Sequence, residues 1–167
     1  MAAANRKSTQ ITNADASPRV ANDVRSTHGR IRVSKATVET AAADDANSVY
    51  RFVRVHSSWS VFSIIIHNDA TADATDMDVG LYQTAENGGA ALDKDCYTDG
   101  ADMSAGYLTG VEYAFTTRAI ENIGQRVYAD GGESADTGLY YDLCINGVSD
   151  ISAAGTFTMI VLYTAGD

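Results

Sequence analysis

From Ile31 onward the chain is written in short runs of β-branched and aromatic residues, each closed by a cluster of turn formers. That rhythm leaves few folds open. A helix repeats its apolar positions every three to four residues, whereas a half-buried strand alternates every two. Val111–Thr117 alternates in the second way, with Val111, Tyr113 and Phe115 on one side and Glu112, Ala114 and Thr116 on the other. Leu139–Ile145 repeats the pattern through Leu139, Tyr141, Leu143 and Ile145, and Met77–Gln83 does so through Met77, Val79 and Leu81. Phe157–Tyr163 is apolar on both faces, the mark of a strand with neighbours on either side.

The remaining runs complete the set. Ile31–Val38 reads as a first strand. Val49–His56 and Trp59–His67 are separated only by Ser57 and Ser58, which predicts a hairpin. Asn68–Asp76 is a polar loop, Asn87-Gly88-Gly89 a turn, and Ala90–Tyr97 a short strand after it. One segment departs from the period. Ile120, Ile123 and Val127 share a helical face and Gly131-Gly132 follows as a stop, so a short helix is expected near Ala119–Ala129. About eight strands and one helix predict an all-β chain: a two-sheet antiparallel sandwich, jelly-roll-like in preference to immunoglobulin-like. Its core should hold Phe62, Ile64, Val79, Leu81, Val111, Phe115, Leu143, Phe157 and Val161.

Two domains of behaviour follow from charge. The chain carries −10 overall, but residues 1–38 hold seven basic and two acidic side chains, whereas residues 39–167 hold five basic and twenty acidic. Residues 1–30 show no apolar periodicity and read as an extended basic N-terminal arm, ordered only on a partner; residues 31–167 form the sandwich. The arm's cations Arg6, Lys7, Arg19, Arg25 and Arg30 are the candidate partner-binding residues. A body at −15 disfavours nucleic acid, and the arm lacks the dense basic runs and interleaved aromatics of a nucleic-acid binder. No apolar stretch approaches the roughly 20 residues of a membrane span, and the polar start beginning Met1-Ala2-Ala3-Ala4-Asn5-Arg6-Lys7 has no secretory apolar region.

Chemistry is sparsely written. His28 lies in the arm, and His56 and His67 lie at strand ends without a spaced acid–base partner or nucleophile motif, so no catalytic residue is assigned. Two acidic loops, one with Asn68, Asp69, Asp73, Asp76 and Asp78 and the other with Asp93, Asp95, Asp99 and Asp102, lack the glycine and closing glutamate of an EF-hand. They read as solvated surface, and neither metal nor cofactor is expected. Cys96 and Cys144 match no zinc or redox spacing; the reading is two buried free thiols in preference to a disulfide.

Five stretches carry a resemblance: Ser34–Asp45, Ser48–Trp59, Asp78–Ala90, Tyr140–Ile145 and the closing Gly155–Tyr163. In texture and order they resemble the capsid cementing, or decoration, proteins of podovirus-type tailed bacteriophages. The resemblance implies a jelly-roll body without enzyme activity, placed on the capsid exterior after synthesis in the bacterial cytoplasm. Its implied partners are the major capsid protein and a second copy, in a homodimer or other homo-oligomer that bridges capsomers. Two other readings stand beside it. One is a tail or head-fibre adaptor. The other is a carbohydrate-binding jelly-roll module that stacks sugars on Trp59, Tyr82, Tyr107 or Tyr140.

Overall fold

The computed structural model describes residues 6–22, 29–42 and 44–165. The chain divides into two compact units, one ending at Arg30 and one beginning at Ile31.

In the first unit Thr9–Asp15 form a short helix, α1. Ser8 caps it, its side chain accepting from the Ile11 amide, and Lys7 meets Asp15 at 2.7 Å. The helix buries none of its residues, which is why apolar periodicity gives no sign of it.

The second unit is an all-β sandwich of two four-stranded antiparallel sheets. Its strands are β1 (Ile31–Thr40), β2 (Val49–His56), β3 (Ser60–Asn68), β4 (Met77–Gln83), β5 (Ala91–Ala101), β6 (Tyr107–Glu112), β7 (Tyr140–Gly147) and β8 (Gly155–Thr164). One sheet runs β1-β8-β3-β6 and the other β2-β7-β4-β5. The pairs β1 with β8, β2 with β7, β3 with β6 and β4 with β5 are those of one long hairpin, each arm four strands long. Rolling that hairpin so that successive strands alternate between sheets brings β8 onto β3 and β7 onto β4, which is the jelly roll.

The core lies between the sheets. Ile64, Val79, Leu81, Leu143, Phe157 and Val161 are buried there as expected. β8 is central, between β1 and β3, and buries alternate residues from Gly155 to Tyr163. Gly80 marks the tightest approach of two strands: a Cβ on it would collide with the Lys94 carbonyl group, so β4 and β5 close only over a glycine.

Four expectations need correction. Val49–His56 and Trp59–His67 do not form a hairpin, because β2 and β3 belong to different sheets. The primed turns that close two-residue hairpins need Gly, Asn or Asp, and Ser57-Ser58 supplies none. Ser57 is buried instead and carries the chain from sheet to sheet, its amide donating to the Leu139 carbonyl at 2.8 Å. Second, the strand expected at Val111–Thr117 lies at Tyr107–Glu112. There the Glu112 carboxylate takes the Ile64 and Ala114 amides at 2.8 and 2.9 Å, replacing ladder bonds and ending the strand.

The third correction is the helix near Ala119–Ala129. The helix is present but short, only Val127–Asp130, and Ile120–Asn122 form a separate 3-10 turn before it. Gly124 between them has φ +79°, outside helical space, and Ile120 is 85% exposed, so only Val127 of the expected apolar face is buried. The fourth concerns the core. Phe62, Val111 and Phe115 are only half-buried. For Phe62 the cause is a register break between Val61 and Ser63, which lets Val61 and Ile64 both point inward and leaves Phe62 outside, against Gly124. Val111 and Phe115 sit where β6 ends early and only brush the core.

Candidate interaction surface

The outer face of the first sheet is more apolar than a solvated sheet face requires. Alternation places Ile31, Val33, Lys35, Thr37 and Glu39 of β1 outward, and the register carries their rows across the sheet. Val33 stands beside Leu162 and then Ser63; Lys35 stands beside Ile160, Ile65 and Glu112. Ile31 and Val33 are 65% and 62% exposed, while Ile65, Ile160 and Leu162 are half-buried only by their neighbours. Leu108 of β6 is also exposed, as is Ile120 in the irregular segment beyond it. A contiguous apolar band of this kind on a folded protein marks a contact surface.

Sequence reasoning missed a buried ion pair. Arg118 and Asp130 have side chains 2% and 1% exposed. The Arg118 guanidinium forks onto the Asp130 carboxylate, donates to the Val61 carbonyl at 2.9 Å and lies over the Tyr97 ring at 4.8 Å. Tyr97 and Gln125 also donate to Asp130, at 2.9 and 2.8 Å. Burial raises the Asp130 carboxyl above its ordinary range, against the pull of Arg118, Gln125 and Tyr97. The network ties the irregular Tyr113–Asp130 segment to β3 and β5, a positional role. No spacing rule links Arg118 to Asp130, so nothing in the sequence pattern discloses it.

Above this pair lies a cavity of about 510 Å³ walled by Asp93, Asp95, Asp99, Arg118, Asn122 and Gln125, among others. The fold draws Asp78 from one acidic loop to Asp95 and Asp99 from the other, with carboxylate oxygens within 4.8 Å. Lys94 already neutralises Asp78 at 2.8 Å, and the Gly100 amide donates to it as well. Asp69 and Asp102 serve backbone instead, accepting from the Thr156 and Ser104 amides. The Asp93 carboxylate, through a shared hydrogen bond, raises the Asp95 carboxyl above its ordinary range, and burial adds to it.

That shift has a sign. A carboxyl raised in the folded state contributes stability below its unfolded value of about 3.9, and the contribution is lost as pH rises through the folded value. Asp95→Asn is therefore expected to melt higher than the wild type at pH 7 and together with it near pH 3. Melting curves at the two pH values check this; a gain that persists at low pH would point to packing instead of charge.

The aromatic candidates are mostly engaged within the fold. Tyr82 is buried, its hydroxyl donating to Asn146 at 3.0 Å. Trp59 stacks on Tyr163, centroids 4.8 Å apart, and Tyr140 stands edge-on to His56 at 4.8 Å. Tyr107 is half-buried, and Tyr140 is the one candidate left largely exposed.

His56 bonds Ser58 through Nδ1 at 2.8 Å, and His67 bonds the Leu108 carbonyl at 3.0 Å. Asp136 accepts from Ser57, so serine, histidine and carboxylate are not linked in series here. His28 lies outside the described residues. Cys96 and Cys144 are free thiols; burial pushes the Cys144 thiol up to about 12 and the Cys96 thiol well above its ordinary range. Of the arm cations, Arg6, Lys7, Arg19 and Arg30 are exposed, and Arg25 lies outside the described residues.

No protein-family model matches the sequence, and no curated protein matches it. Solved structures do share its fold. A chain of the cyanophage Pam1 capsid asymmetric unit is similar over 99% of this chain and 100% of its own length, at 14% identity and a TM-score of 0.50. A chain of the capsid of Ralstonia phage GP4 is similar over 81% of this chain and 86% of its own, at 11% identity and a TM-score of 0.55. At these identities the likeness establishes a shared fold.

Proposed function

We propose that this chain is a bacteriophage structural protein that binds the outer surface of the capsid and cements neighbouring capsid subunits. The observation that carries the reading is likeness in fold, end to end, to a chain of a phage capsid assembly. The partners are the major capsid protein and further copies of this chain, the location is the virion exterior, and synthesis is in the host cytoplasm. Two free thiols fit assembly in a reducing compartment.

The role needs no chemistry. A cement acts by mass action: it binds the assembled shell better than free subunits and so lowers the free energy of the assembled state. Each copy contributes a little, and many copies act together because opening the shell breaks several contacts at once. The apolar band on the first sheet supplies area to bury, and the basic arm supplies a second, electrostatic attachment to an acidic surface. Residues 39–167, at −15, disfavour direct binding to the packaged genome.

Heads lacking the protein should assemble but rupture at a lower temperature than occupied heads, and adding the protein back should restore resistance. Raised salt should weaken that rescue, since exposed charges are screened within about 10 Å at 0.1 M. Equal rupture temperatures for bare and occupied heads would overturn cementing and favour the tail or head-fibre adaptor.

A further inference from the structure

The sandwich has four edge strands, and three carry the protections by which natural sheets avoid pairing with another chain. β2 is broken in register between Arg51 and Val53, and its Arg51 and Arg54 are drawn onto Asp142. β5 breaks register with β4 at three places. β6 is six residues long, is interrupted by Gly110 at φ +76°, and pairs irregularly. β1 carries charges too, Arg32, Lys35 and Glu39, but differs in its regularity. It is ten residues long, contains neither proline nor glycine, and pairs with β8 without a break from Ile31 to Thr40. No strand among the described residues pairs with its other side.

We infer that β1 is the seam of a homodimer, in which two copies pair β1 against β1, antiparallel, and merge two four-stranded sheets into one of eight. The register follows from charge. A two-fold axis normal to the sheet sets outward residues opposite outward residues, so only alternate registers are allowed. With Thr37 on the axis, Lys35 of each copy faces Glu39 of the other, twice, while Ala36 faces Val38 and Ser34 faces Thr40. With Lys35 on the axis two ammonium groups meet and Glu39 faces Ile31; with Ala36 on the axis Glu39 faces Val33. The Thr37 register is the one of these three in which every charge of the strand's centre meets its opposite. Glu39 is already held on the outward face by the Thr156 hydroxyl at 2.9 and 3.0 Å. In this register Ser34–Thr40 of each copy pair with one another, and Val33 faces Ala41, just past the end of the other copy's β1.

This pairing deepens the self-association in the proposed function, and its test needs no capsid, so the seam and the cementing can fail independently. The full chain should sediment as a dimer that dissociates on dilution. Lys35→Glu and Glu39→Lys each turn two attractive pairs into two repulsive ones, and each should weaken dimerisation by roughly tenfold or more. The double variant carrying both swaps should return to near wild-type association. Circular dichroism spectra matching the wild type exclude misfolding at these exposed positions. Thr37→Cys, which places one thiol beside its own copy across the axis, should form a disulfide-linked dimer on mild oxidation, and Lys35→Cys should not. A wild-type chain that stays monomeric well above micromolar concentration, single swaps without effect, or a double swap that fails to recover would each overturn the seam.

Discussion

Asp130→Asn is expected to lower the unfolding free energy by about 3–5 kcal/mol, the cost of leaving one member of a buried ion pair without its counter-charge. The substitution keeps the shape of the side chain and removes only the charge that Arg118 faces at 2% exposure. The stranded guanidinium then has the Val61 carbonyl and the Tyr97 ring and little else. For a chain of this size the melting temperature should fall by roughly 10 °C. Calorimetry reads the result directly. The companion variant Arg118→Met with Asp130→Leu removes both charges and should recover most of the loss, because desolvation of the pair offsets most of its attraction. A fall of only a degree or two for Asp130→Asn would mean that water reaches the pair from the cavity beside it.

Phe157→Ala is expected to cost about 3–5 kcal/mol, the range for emptying an aromatic site in a packed core. Phe157 is 1% exposed on the central strand β8, and its ring lies parallel to that of Tyr50 at 6.4 Å across the sandwich. Neither β1 nor β3 can shift to fill the void without breaking its own ladder to β8. Phe115→Ala supplies the contrast. Phe115 follows the end of β6 and only flanks the core, so its loss should cost less than half as much. Denaturant melts of the two variants check the ranking. Equal costs would place Phe115 inside the core and restore the longer β6 that simple alternation suggests.

The two variants also divide what local pattern discloses from what it hides. Phe157 is legible because strand periodicity is a backbone property: once the chain is extended, alternate side chains must part to opposite faces. A run apolar on both faces has no solvated side and settles in the middle of a sheet, as β8 does. Phe62 is not legible, because it is itself the extra, unpaired residue between Val61 and Ser63, and a bulge leaves no mark on composition. The helical spacing of Ile120, Ile123 and Val127 misleads for a related reason. Spacing reports which residues would share a face if the backbone were helical, and Gly124 declines the helix.

The amino-acid sequence alone determined the extended segments, the sandwich class, the central place of β8 and the segregation of positive charge into the first 38 residues. These depend on interactions along a few residues of chain or on simple summation. Tertiary structure alone decided which strands pair, that Ser57-Ser58 crosses between sheets, that Asp78 joins Asp95 and Asp99, and that Arg118 finds Asp130. It also decided that β1, of four edge strands, is left long, regular and unpaired on one side among the described residues. The physical reason is common to all of these. In a jelly roll most strand neighbours are remote in sequence, so partners are chosen by closing both sheets over one core, a condition that no single segment carries.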